Sequence, residues 1–278
     1  MAAAAGLEIH RVGNDARFRR ASLYACLQTA SRLGFSPATV IDVGAAKGMW
    51  SEQAARVWPD AMYLLVDPLV ENRSSLAGVA DSLERATWRM AAVGAMEGTV
   101  TINVHRDLDG SSLYEEREAT VVGESREVRM VTVDSLVTGA SMLPPFLLKA
   151  DVQGAELEVI RGARAALRDT ELVILEVLLF DFFQGKAPQF ADVIAEMSQR
   201  GFVPWDIFGL GYRPYDGALS QADVAFVKQD GAFRAVHQYA TEEQRVAQLS
   251  EISRTSPERL LQGFRGIRRA DREPSKDA

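Results

Sequence analysis

Val40-Ile41-Asp42-Val43-Gly44-Ala45-Ala46-Lys47-Gly48 is the stretch whose reading decides the fold. Three apolar residues and one acid, Asp42, run directly into a turn framed by two glycines. A second apolar run, Tyr63-Leu64-Leu65-Val66, ends in another acid, Asp67, 25 residues after Asp42. Strand, tight glycine turn, helix and a second strand with a terminal acid make up the ribose-binding half of a nucleotide fold.

Working outward, apolar strands alternate with helical segments. A helix is expected over residues 15–33, ended by Gly34 and blocked by Pro37. Strands follow at Thr39–Val43, Met62–Val66 and Trp88–Val93, with helices over residues 48–57 and 71–84 between them. The rhythm then breaks. Thr99–Val104 and Arg126–Val133 read as strands flanking a polar segment, Asp107 to Ser125, and so as an inserted hairpin. Phe146–Ala150, a helix over Ala155–Leu167, the apolar run Leu172–Leu179, a helix over residues 188–200 and strands at Phe202–Ile207 and Ala222–Lys228 complete the pattern. Such alternation predicts an α/β doubly wound, Rossmann-like sheet, with its ligand beyond the carboxyl ends of the strands. Beyond it lies a helical C-terminal extension, starting at a cap of Thr241 with Gln244 and restarting at Ser256-Pro257. The expected organisation is an N-terminal helical segment (1–37), a nucleotide-fold domain (38–230), a helical extension (231–266) and a disordered tail (267–278).

Composition narrows the partners. The 278 residues carry a net charge of −7, which disfavours nucleic acid because phosphate contacts need clustered Lys and Arg. The lone cysteine, Cys26, builds neither a disulfide framework nor a cysteine metal site, and the three histidines show no ligand spacing. No signal peptide and no apolar run long enough for a membrane span are read, so a cytoplasmic protein is expected. Oligomeric state is open; the C-terminal helices could pack on their own domain or form a homo-oligomer.

Asp42 discriminates among nucleotides. A dinucleotide turn brings a pyrophosphate to the helix N-terminus, and an acid two residues before the first glycine would repel it. S-adenosylmethionine (SAM) has no phosphate, and its sulfonium and α-ammonium attract an acid. Asp42, Gly44, Ala45, Ala46 and Gly48 are therefore expected to bind SAM. Asp67 is expected to accept from both ribose hydroxyls, with Pro68 ending the strand; the competing reading is a helix cap. The small residues Ala92 and Val93 could admit an adenine ring.

The most distinctive block is Leu148-Lys149-Ala150-Asp151-Val152-Gln153-Gly154-Ala155-Glu156-Leu157-Glu158-Val159-Ile160-Arg161-Gly162-Ala163. Together with Ile41-Asp42-Val43-Gly44-Ala45 and Val173-Ile174-Leu175-Glu176-Val177, it resembles the FkbM family of SAM-dependent methyltransferases across about residues 39–230. The family pattern is Lys-Ile-Asp-Val-(Glu/Gln)-Gly-x-Glu followed by an apolar helix with a Gly-Ala pair. Two departures occur: Ala46 stands where Asn is common, and Asp67 where Glu is common. The resemblance implies a class I methyltransferase fold and O-methylation of a sugar, glycolipid or other small-molecule hydroxyl.

An alcohol must lose its proton during attack, so a base is needed. Asp151 is the first candidate, with cofactor binding or helix capping as its alternative. Glu176 is the second, with a buried structural acid as its alternative. Lys149 could orient a carboxylate or lower its pKa. Asp151, Glu156 and Glu176 could offer oxygens to a cation, but without a second Asp in a tight motif no metal is expected. Gly110-Ser111-Ser112-Leu113 reads as a turn that could reach the ligand, and Phe180, Phe182, Phe183, Trp205, Phe208, Tyr212 and Tyr215 could line an acceptor pocket or, equally, serve ordinary core packing. Two other readings compete: an NAD(P)-dependent oxidoreductase, which the missing third glycine and Asp42 disfavour, and a catalytically silent SAM-fold module.

Overall fold

The computed structural model describes residues 22–185 and 187–255. The expectations for residues 1–21, for the start at Ser256-Pro257 and for the tail lie outside the described residues. The chain divides into two compact units, Met1–Arg234 and Ala235–Ala278.

The first unit opens with helix α1 (Leu23–Arg32), whose N-cap Ser22 accepts from the backbone N–H of Ala25 at 3.3 Å. Strand β1 (Thr39–Val43), helix α2 (Met49–Ala55), strand β2 (Met62–Asp67), helix α3 (Arg73–Ser82) and strand β3 (Ala86–Met90) follow. Strands β4 (Ala92–Val93), β5 (Gly98–His105) and β6 (Val122–Val131) come next, then helix α4 (Val133–Gly139) and strand β7 (Phe146–Ala150). Helix α5 (Glu156–Arg161), strand β8 (Thr170–Leu178), helix α6 (Phe190–Gln199) and strands β9 (Phe202–Tyr212) and β10 (Leu219–Lys228) complete the unit.

Seven strands form the main sheet in the order β3-β2-β1-β7-β8-β10-β9. The first five are mutually parallel, and β10 runs antiparallel to both its neighbours. Every residue of β1 and β7 is buried, which explains why these strands are apolar apart from Thr39, Asp42 and Lys149. Successive side chains point to opposite faces and enter two separate cores. Ile41, Leu64, Leu148 and Val173 join one; Val40, Tyr63, Leu147 and Leu172 join the other. The strand order reverses between β1 and β7, opening a crevice at their carboxyl ends.

Several boundaries differ from the sequence expectation. Trp88–Val93 is two strands, not one: β3 ends at Met90, and Ala92–Val93 pairs instead with β6 in a separate three-stranded sheet, β4-β6-β5. This small sheet contains the expected inserted hairpin, β5 antiparallel to β6. The expected strand Arg126–Val133 ends at Val131, because the Thr132 hydroxyl accepts the Ser135 N–H at 3.0 Å and starts α4. The helix expected over Ala155–Leu167 stops at Arg161. At Gly162 a Cβ would sit 2.0 Å from the Gly94 carbonyl oxygen, so the backbones touch there. Strands β9 and β10 extend beyond the expected Phe202–Ile207 and Ala222–Lys228, because glycines 209 and 211 sit in a bulged hairpin rather than ending it.

In the second unit, α7 (Glu242–Thr255) begins at the expected cap: Thr241 N–H donates to Gln244 Oε1 at 2.8 Å, and Gln244 N–H donates to Thr241 Oγ1 at 3.2 Å. Among the described residues no helix is long and apolar enough to cross a membrane.

The crevice requires close backbone approach. Gly44 has φ +67°, and a Cβ there would lie 1.8 Å from the Asp151 carbonyl oxygen. Gly44→Ala should therefore lower unfolding free energy by about 2–4 kcal/mol, read by urea denaturation. Gly34→Ala, at φ +89° but in open space, should cost only about 1 kcal/mol.

Candidate active site

A cavity of about 400 Å³ opens at the carboxyl ends of β1, β2, β7 and β8. Of the residues singled out from sequence, Gly44, Ala45, Ala46, Asp67, Pro68, Ala92, Val93, Lys149, Asp151 and Glu176 line it. Asp42 and Gly48 do not. Gly48, at φ +81°, starts α2, and a Cβ there would press on Val79 at 2.9 Å.

Asp42 sits one layer behind the cavity. It is fully buried, and its Oδ2 accepts from the Ser51 hydroxyl at 2.7 Å. Its Oδ1 lies 3.0 Å from Lys149 Nζ. The expectation that Asp42 meets a cationic ligand directly is thus corrected, since its charge is already matched from inside the fold. Lys149 also donates to the Gly44 carbonyl at 2.8 Å and lies 3.8 Å from Asp151 Oδ2. Burial works against its positive charge, but Asp42 and Asp151 outweigh burial and hold its pKa above the ordinary lysine value.

Asp67 is nearly buried and already well bonded. Oδ2 accepts from Ala46 N–H at 2.9 Å, and Oδ1 accepts from Leu69 N–H at 2.9 Å and Asn72 Nδ2 at 3.0 Å. Burial raises its pKa despite these bonds. A carboxylate has about four acceptor sites, so about one stays open rather than the two the sequence reading needed. The bond to Asp67 also holds Ala46 at φ 45°, a left-handed conformation that Asn adopts more readily than Ala.

Asp151 and Glu176 stand at the ends of β7 and β8, their carboxyl groups within hydrogen-bonding reach of each other. Gln153 Nε2 donates to Asp151 Oδ1 at 2.9 Å and to Glu176 Oε2 at 2.7 Å. Gln221 from β10 donates to the other Glu176 oxygen. Burial first, and then the charge of Asp151, push the Glu176 pKa upward. Asp223, opposite Glu176 in the ladder, is raised to about 7, chiefly by burial. Glu156 lies near enough to repel this pair but its bonds go elsewhere: its Oε1 accepts from the backbone N–H groups of Val152 at 2.9 Å and Gly154 at 3.2 Å, closing the loop before α5.

The sequence reading missed Lys47, Trp50, Asn72, Gln153 and Gln221, all of which line the cavity. Gln153 stood inside the motif and was the most findable. The Ser111–Leu113 turn does reach the cavity, joined by Leu108 and Asp109. None of the seven aromatics weighed for an acceptor pocket lines the cavity. Phe208 is fully buried, Trp205 packs on Phe233 at 5.1 Å, and Phe180 lies 3.9 Å beneath the Arg213 guanidinium. Trp50 is the aromatic side chain that lines the cavity. Among the described residues no group of three His, Cys, Asp or Glu side chains could hold a metal ion.

Fold and cavity define a Rossmann-like domain of the class I methyltransferase type. A family model described as the methyltransferase FkbM domain matches residues 42–204, more than half of the 278-residue chain. The chain belongs to the FkbM methyltransferase family, and it is a SAM-dependent methyltransferase. No curated protein matches it. Among solved structures it is similar to a precorrin-6y C5,15-methyltransferase from Geobacter metallireducens GS-15, at 10% identity over 73% of this chain and 87% of that one, TM-score 0.40. It is also similar to the 1,6-didemethyltoxoflavin-N1-methyltransferase of Burkholderia thailandensis, whose structure holds 1,6-didemethyltoxoflavin and S-adenosylhomocysteine, at 14% identity over 74% and 76%, TM-score 0.40.

Glu156 yields a test of the electrostatics. Burial raises its pKa to about 7, above the unfolded carboxylate value. A raised acid contributes stability that is present below the unfolded pKa and lost as pH rises through the folded one. Glu156→Gln keeps an acceptor for the two N–H groups. It should remove the stability loss between about pH 4.5 and 7 and gain on the order of 2 kcal/mol at pH 8, read by denaturation at each pH.

Proposed function

We propose that the protein transfers a methyl group from SAM to a hydroxyl of a sugar, glycolipid or other small natural product. The observation that carries this reading is the Asp151–Glu176 carboxyl pair, set in the cavity beside the Gly44–Ala46 turn.

The residues fit SAM better than a phosphorylated nucleotide. No arginine lines the cavity, Lys149 is occupied by Asp42 and the Gly44 carbonyl, and, with Glu176 neutral, the acids Asp67, Asp109 and Asp151 still outnumber Lys47 and Lys149. A pyrophosphate would meet net repulsion, and a sulfonium with an α-ammonium would not. Gly44, Ala45 and Ala46 offer backbone to the cofactor's amino-acid end. Asp67 has one acceptor site for a ribose hydroxyl, and Pro68, Ala92 and Val93 bound the adenine. Asp42 acts indirectly, fixing Lys149 and through it the Gly44 carbonyl.

When bound, SAM supplies an electrophilic methyl: the acceptor oxygen–carbon bond forms as the sulfur–carbon bond breaks, its electron pair staying on sulfur. Asp151 is the general base that takes the hydroxyl proton onto a carboxylate oxygen. Lys149 holds Asp151 in place from 3.8 Å away. Glu176, its pKa raised, is the neutral partner that donates to the acceptor or to Asp151. The rigid loops after β1 and β7 hold the hydroxyl in line, where most of the rate gain arises. We also infer a cytoplasmic setting, consistent with Cys26, buried and unbridged, and an acidic surface that binds no nucleic acid.

The test is transfer of tritiated methyl from SAM to a panel of methyl glycosides and polyhydroxylated natural products, with base-stable methyl ethers as the expected product. Labelled amines instead would replace the hydroxyl reading. Asp151→Asn should lower kcat about 100-fold or more while SAM affinity changes little; equal losses would make Asp151 a cofactor ligand. Asp67→Ala should weaken SAM binding by on the order of 1–3 kcal/mol in calorimetry, and unchanged affinity would remove Asp67 from the ribose site.

A further inference from the structure

Gln153 occupies an unusual place. It is not glycine, yet its backbone sits at φ 53°, in the left-handed region that costs an ordinary side chain about 1 kcal/mol or more. Its carbonyl is held by the Ser112 hydroxyl at 2.6 Å, a contact reaching across 41 residues from the inserted sheet. Ser112 is itself nearly buried. Gly154, at φ +94°, follows, and the backbone N–H groups on either side of Gln153 belong to Val152 and Gly154, both bonded to Glu156. Backbone strain, the Ser112 tether and the Glu156 brace together aim one carboxamide between two carboxyl groups.

That carboxamide has two N–H bonds, and it spends one on each acid: 2.9 Å to Asp151 and 2.7 Å to Glu176. Neither acid can turn away without breaking a bond, and the two groups approach closely enough that at most one is ionised comfortably. We propose that Gln153 is a positioning residue that clamps Asp151 and Glu176 into a pair sharing one proton, with the ionised member turned toward the acceptor. Gln221 fixes the far side of Glu176, leaving Asp151 as the more exposed partner. The other charged groups facing the pair are Lys149 on β7, Glu156 on α5 and Asp223 on β10, with Asp42 on β1 acting through Lys149. Lys149 favours ionisation; Glu156 and Asp223 oppose a second charge. This inference rests on the methyl-transfer reading for its catalytic meaning but not for its geometry.

Two variants test it. Gln153→Met keeps length and removes both donors. Gln153→Gly also removes them and relieves the left-handed strain. Bonds donated to an ionised carboxylate favour that form, so their loss should move the pair's titration to higher pH. With ¹³C-labelled Asp and Glu, carboxyl NMR of the whole protein should show both steps displaced upward by about half to one pH unit in both variants. SAM affinity by calorimetry should stay within about twofold, since the contacts proposed for the cofactor lie on Gly44–Ala46, Asp67, Pro68, Ala92 and Val93. The rate of methyl transfer to a methyl glycoside at pH 7 should fall about tenfold to a hundredfold, with the acid limb of kcat/KM displaced the same way. Unmoved carboxyl titrations would overturn the clamp, as would a defect in Gln153→Met that Gln153→Gly lacks, because backbone geometry alone would then be at work. If the unaltered protein methylates no acceptor but the titrations move as expected, the function is wrong and the clamp stands. If it methylates and neither variant changes titration or rate, the clamp is wrong and the function stands.

Discussion

A buried ammonium joins the two strands on which everything else is built. Lys149, on β7, reaches across to Asp42 on β1 at 3.0 Å and to the Gly44 carbonyl at 2.8 Å. Both ends of that ion pair are almost completely withdrawn from water. An unpaired charge there would be prohibitive, and a pair with further hydrogen bonds is tolerable. Ser51 satisfies the second oxygen of Asp42 from α2. The turn after β1, the start of α2 and the end of β7 are thereby locked as one piece at the point where the strand order reverses. The cofactor turn and the proposed base are parts of that piece.

The polar groups behind the cavity act in series. Asp42 compensates Lys149, Lys149 faces Asp151, and Gln153 ties Asp151 to Glu176, which Gln221 holds from the antiparallel strand β10. Low dielectric makes each link strong and each missing link costly. The chain of bonds also separates the two acids by environment. Glu176 is deep and its pKa is raised, while Asp151 keeps part of its surface toward the cavity. Two carboxyl groups with different surroundings are the usual arrangement for dividing acid and base duties.

The inserted sheet contributes more than a cover. Its Ser112 holds the Gln153 backbone, and Leu108, Asp109, Ser111 and Leu113 form one wall of the cavity. Arg117 donates to the Asp181 carboxylate and carbonyl, fastening the same insertion to the segment after β8. The wall built by the insertion is thus bonded to the loop that carries the proposed chemistry.

Much of this was legible in the chain. Apolar runs that end in Gly44 and in Asp67, and the block from Lys149 to Glu156, located the strands, the crevice and part of the cavity lining, because strand burial and turn conformation impose local residue choices. Local pattern could not say what faces a residue across the fold. Asp42 reads as a ligand for a cation and is one, but the cation is Lys149, more than 100 residues away. Asp67 reads as a free acceptor, yet three protein donors already hold it. Thr132 reads as strand until its hydroxyl is seen capping α4. The aromatics after β8 and in and after β9 read equally as pocket or packing, and tertiary structure sends them to the core, to Arg213 or to the surface. Gln221 carries no motif at all; only the antiparallel pairing of β10 with β8 brings it to Glu176, 45 residues away. Sequence by itself determined the elements and the place of the site, because both follow from short-range periodicity and turn chemistry. Tertiary structure alone decided which acids are neutralised and which face the cavity, because charge compensation depends on partners that meet only when distant strands become neighbours.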